Sequence, residues 1–126
     1  MLVLVVDDYP DIAMAVKAML EIHEFQADVV SDGHEALEYL REKRPGMMVV
    51  DLMMPGITGI ELLKIVKADP ELAHITFVLY TAHNSPRVKE EALRLGACEV
   101  ILKSNDTLQD IVAAAQKCRP GSGPTA

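Results

Sequence analysis

Tryptophan is absent and aromatic residues make up only 4 % of the chain, so any core must be assembled from Val, Ile, Leu, Met and Ala rather than around large ring anchors. Cysteine is scarce too. Cys98 and Cys118 show no C-x-x-C or metal-finger spacing, which excludes a zinc framework and reads as two free thiols in a reducing compartment. Positive charge is in deficit: 12 Lys and Arg against 19 Asp and Glu give a formal net charge of −7, which argues against nucleic-acid binding through a broad basic footprint. No apolar run approaches the roughly 20 residues of a membrane helix. The run that follows Met1, over 2–6, has no basic leader or cleavage site, so we expect a cytoplasmic protein with no membrane partner.

Half of the 126 residues are hydrophobic, enough to bury one core but not two. We read one domain over 1–118 and, over 119–126, a Pro-, Gly- and Ser-rich flexible tail or linker remnant. Short apolar runs at 2–6, 27–30, 47–52, 76–80 and 100–102 alternate with helical patterns, the mark of βαβ units around a parallel sheet. Helices are predicted from Pro10, with Ile12, Val16, Met19 and Leu20 on one stripe, and over 33–43, with Ala36, Leu37 and Leu40 inward. A third covers 59–68 with Leu62, Leu63, Ile65 and Val66. A fourth follows the cap Ser85-Pro86, with Val88, Ala92 and Leu95 inward, and ends at Gly96; the last covers 107–117.

In an open parallel sheet, ligands bind beyond the carboxyl ends of the strands. The first polar groups after the apolar runs are Asp7 and Asp8, Asp51, Thr81 and Lys103. Three carboxylates in one cleft repel one another unless a cation lies between them. Magnesium suits such oxygen-rich corners, whereas zinc would want His or Cys. A carboxylate can attack phosphorus to give an acyl phosphate, and Asp51 is placed to do so, with Lys103 supplying charge and Thr81 a hydroxyl donor. Each residue alone has a plainer reading: Asp7 or Asp8 as a helix cap, Lys103 as a solvated charge, Thr81 as a strand-end hydroxyl. Capping and solubility do not require the whole set at successive strand ends, however.

Together Asp7-Asp8, Asp51-Leu52-Met53-Met54-Pro55 with Gly59, Thr81-Ala82, Gly96-Ala97 and Lys103 resemble the ordered signature of response-regulator receiver domains, from Leu2 to about Cys118. The resemblance implies an α/β, doubly wound, five-stranded parallel sheet in the order 2-1-3-4-5 with five helices. It also implies phosphotransfer to Asp51 from a sensor histidine kinase or phosphotransfer protein in two-component signalling. It makes Asp8 a direct Mg2+ ligand, Asp7 a ligand through water, and the Met53 carbonyl a backbone ligand beside Asp51. Thr81 and Lys103 become switch and charge clamp. Such a domain catalyses its own phosphorylation and dephosphorylation rather than conventional turnover. It signals to an output domain or target protein through its helix 4, strand 5 and helix 5 face, or by forming a homodimer.

The sequence departs from the family pattern at Val100, where an aromatic is usual, and at Ser104, where proline is common and where we expect a trans loop or retained strain. By the same analogy, apolar Met53 would slow dephosphorylation, while His83 stands near the site mouth. Three rivals remain: a non-phosphorylated binding module of the same fold, a metal-dependent aspartate phosphatase and a flavin protein. The phosphatase would want a second acid where Met53 stands. The flavin site would want a phosphate-binding loop where Asp7-Asp8-Tyr9 stands.

Overall fold

Side chains in a strand alternate between the two faces of the sheet, and in the runs over 2–6, 47–50 and 77–80 both alternating sets are apolar, so these strands must be covered on both sides. The computed structural model describes residues 1–82, 85–103 and 107–117. Its elements run β1 (Leu2–Val6), α1 (Pro10–Ile22), β2 (Gln26–Val30), α2 (Gly33–Glu42), β3 (Met47–Asp51), α3 (Gly59–Ala68), β4 (Thr76–Thr81), α4 (Pro86–Arg94), β5 (Glu99–Leu102) and α5 (Thr107–Lys117). All strand pairs are parallel, and the sheet order is β2-β1-β3-β4-β5, as the resemblance implied.

One parity of each strand, including Leu4, Val6, Met48, Val50, Phe77 and Leu79, packs with Ala36, Leu62, Leu63 and Ala92 of α2, α3 and α4. The other parity, including Val3, Val5, Met47, Val49, Val78, Tyr80 and Ile101, packs with Val16 and Leu20 of α1 and Ile111 and Ala115 of α5. The sheet is therefore the middle of three layers. At the start of α4, the Ser85 hydroxyl accepts from the Val88 N–H, with Pro86 in the first turn, as the sequence predicts. Gly96 adopts φ 113°, a left-handed conformation open to glycine, just after that helix.

Three expectations are corrected. Ile12 is not inward: α1 buries Ala13, Val16 and Leu20, leaving Ile12 36 % exposed, because the stripe is phased one residue later and begins on a small alanine. Ile65 is likewise exposed, as α3 buries Leu62, Leu63 and Val66. Cys98 is disulfide-bonded rather than free. Local spacing excludes metal-finger pairing but not pairing over distance, so the cysteines no longer argue for a reducing compartment. Cys118, His83, Ser104 and the tail at 119–126 lie outside the described residues. Among the described residues, no helix is long and apolar enough to cross a membrane.

Candidate functional site

The alternation that sorts the core also builds the site. Asp51 is the last residue of β3, in register with Tyr80 of β4, and shares the parity of Met47 and Val49. Continued past the strand ends, the same parity carries Asp7 on from Val3 and Val5, and Lys103 on from Ile101. These four side chains meet at the carboxyl edge of the sheet on the α1 and α5 side. Lys103 Nζ lies 3.4 Å from Asp51 Oδ2 and 3.9 Å from Asp7 Oδ2. It sits over two rings, 4.7 Å from the Tyr80 centroid and 5.7 Å from that of Tyr9. Its backbone N–H donates to the carbonyl of Thr81, at 2.6 Å.

Asp7, Asp51 and Thr81 are buried, each no more than 3 % exposed. One carboxylate oxygen from each of Asp7, Asp8 and Asp51 lies within 4.8 Å of the others. The capping reading fails: Tyr9 is the N-cap of α1, and no side chain caps it. Asp7 instead accepts from the Tyr9 N–H through Oδ1, at 2.9 Å, and from the Tyr80 hydroxyl through Oδ2. Asp51 Oδ1 accepts from the Met53 N–H at 3.2 Å. Burial pushes the Asp51 carboxyl above its ordinary range and the charge of Asp7 adds to this, while Lys103 and the Met53 N–H oppose it. Burial and the bond to Asp7 also push the Tyr80 phenol up, so it remains a donor.

Asp8 Oδ1 and Asp51 Oδ2 are buried and accept no hydrogen bond among the described residues. Buried acceptors left unmet are costly, and neighbouring carboxylates with such oxygens are a ligand set that a hard divalent cation satisfies. The residues present therefore fit a Mg2+ ion. Sequence reasoning brought the three acids, Thr81 and Lys103 to one edge. It missed Tyr80 and Tyr9 as the rings that frame the lysine, although a tyrosine inside the apolar run of β4 signals a buried hydroxyl in need of a partner.

Residues 3–116 match the family model for the response regulator receiver domain. The chain is 34 % identical over 101 residues to the DNA-binding response regulator MtrA of Mycolicibacterium smegmatis, covering 80 % of this chain and 43 % of that protein. It is 31 % identical over 100 residues to the polar-differentiation response regulator DivK of Brucella anthropi, covering 79 % of this chain and 80 % of that one. The structure of the chemotaxis protein CheY4 of Vibrio cholerae superposes with a TM-score of 0.84 at 27 % identity, over 91 % of this chain and 95 % of that one. The chain thus spans less than half the length of MtrA, and the match falls on the part of the sequence that forms the sheet, its helices and the acidic edge. With model, relatives and fold in agreement, the chain belongs to the response regulator receiver domain family.

Proposed function

We propose that this domain accepts a phosphoryl group on Asp51 from a sensor histidine kinase or phosphotransfer protein, with Mg2+ held by Asp7, Asp8, Asp51 and the Met53 carbonyl. The observation that carries this reading is the buried Asp51 oxygen, unmet by any described hydrogen-bond donor but 3.4 Å from the Lys103 ammonium. When bound, the cation supplies charge neutralisation on the transferring oxygens. A carboxylate oxygen of Asp51 forms the new bond to phosphorus as the bond from phosphorus to the donor's imidazole nitrogen breaks. The leaving imidazole keeps the electron pair. Lys103 meets the charge of the phosphoryl oxygens, and the Thr81 hydroxyl donates to one of them. The acyl phosphate then favours a second conformation of the face built from α4, β5 and α5. Met53, 57 % exposed beside the acceptor, limits water's approach to the acyl phosphate.

The test is incubation with a small phosphodonor and Mg2+, read by intact mass. The wild-type chain gains one phosphoryl group, and Asp51→Asn gains none. A wild-type chain that stays unmodified overturns the proposal in favour of a docking module.

A further inference from the structure

Tyr80 has no part in the phosphoacceptor chemistry set out above, yet among the described residues it is the largest fully buried side chain and its hydroxyl ends at the site. A phenylalanine would fill the same place among Val78, Val49 and Ile101 without a polar atom to satisfy. The hydroxyl donates to Asp7 Oδ2, while the Tyr9 N–H occupies Asp7 Oδ1. Asp7 is thus gripped on both oxygens, whereas Asp8 Oδ1 and Asp51 Oδ2 accept no hydrogen bond among the described residues. The donors hold Asp7 at both oxygens and leave one buried oxygen on each of Asp8 and Asp51 for a cation. The face of the same ring lies under the Lys103 ammonium, whose distances to Asp51 and Asp7 differ by only half an ångström, 3.4 against 3.9 Å.

We infer that Tyr80 is a positioning residue of the cation site: its hydroxyl fixes Asp7 in orientation, and its ring seats Lys103 between Asp7 and Asp51. Carboxylates at metal sites are commonly oriented by hydrogen bonds of this kind, and removing such a partner typically weakens metal binding about 10–100-fold. The inference rests on the cation-binding part of the proposed function.

The experiment is calorimetric titration with Mg2+ alone of the full chain, as wild type, Tyr80→Phe, Asp7→Ala and the double variant. Tyr80→Phe keeps the ring and loses the donor, so its affinity falls about tenfold. In the Asp7→Ala background the same change adds no further loss, because its acceptor is gone. Wild-type affinity in Tyr80→Phe, or an equal loss in both backgrounds, overturns the inference. A wild type that binds no Mg2+ instead overturns the proposed function, so the two failures are distinct. Should Tyr80→Phe fail to fold, isotope-labelled Cζ of Tyr80 in the wild-type chain carries the test. Its resonance shifts when Asp7→Ala removes the acceptor and follows Mg2+ at the calorimetric half-saturation point; a resonance indifferent to both overturns the inference.

Discussion

Gly59 sits where the chain after the acceptor turns into α3, and nothing larger fits there. A Cβ at this position would lie 2.7 Å from the Asp51 carbonyl oxygen and from Leu79 Cδ2, and 2.8 Å from Leu52 Cα. Two of these neighbours are backbone, and the Gly59 N–H is itself bonded to the Leu52 carbonyl at 3.0 Å. Gly59→Ala therefore forces the acceptor strand to move and should cost about 1–3 kcal/mol. Urea unfolding measures this, and an unchanged midpoint would contradict the packing described. At this scale the acids, Thr81 and Lys103 were legible because each is the first polar residue after an apolar run, and a parallel sheet gathers such ends. The division among the acids was not legible. It depends on which donors reach which oxygens, and the Tyr80 hydroxyl that grips Asp7 lies 73 residues away in sequence.

Among the elements, β2 is a sheet edge with polar atoms open to solvent, and the chain closes it with side chains rather than with another strand. The Tyr39 hydroxyl of α2 donates to Asp28 Oδ2 at 2.7 Å, and Lys43 Nζ stands 3.6 Å from the same oxygen. Lys17 of α1 donates to the Ala27 carbonyl at 2.6 Å. The Tyr39 bond, helped by the nearby Lys43 and Lys17 charges, holds the Asp28 carboxyl below its ordinary value of 3.8, outweighing the opposing effect of burial. A depressed carboxylate stabilises the fold above its unfolded value and loses that contribution as pH falls through its folded value. Wild type and Asp28→Asn should therefore differ in urea midpoint well above pH 3.8 and converge below it. A constant gap would place the difference elsewhere. Strand and helix existence was readable from period and caps, as at Ser85-Pro86. The buried face of a helix was less so: isoleucines at 12 and 65 dominate the hydrophobic pattern, while the small Ala13 actually faces the sheet. Phe25, buried just before β2, belongs to a turn whose burial no period announces.

For the whole molecule, folding gathers the carboxylates of Asp7, Asp8 and Asp51 at one edge, with the Lys103 ammonium against Asp7 and Asp51, three acids to one ammonium among the described residues, in a chain whose net charge is already −7. The unfolded chain spreads those charges over some hundred residues of sequence and offers no comparable site. A cation that binds only the folded form raises its stability by about 2.7 kcal/mol at a hundredfold excess over the dissociation constant. For a domain of this size the melting temperature should then rise by on the order of 10 °C. General screening by salt would also relieve repulsion, but it acts on all exposed charges and does not depend on one oxygen. The discriminating measurement is thermal unfolding in Mg2+, in sodium chloride of equal ionic strength, and in Mg2+ with Asp8→Ala, which removes an unmet buried oxygen. The rise should appear only in the first. An equal rise in all three would mean that charge density alone, and no built cation site, governs the stability of this edge.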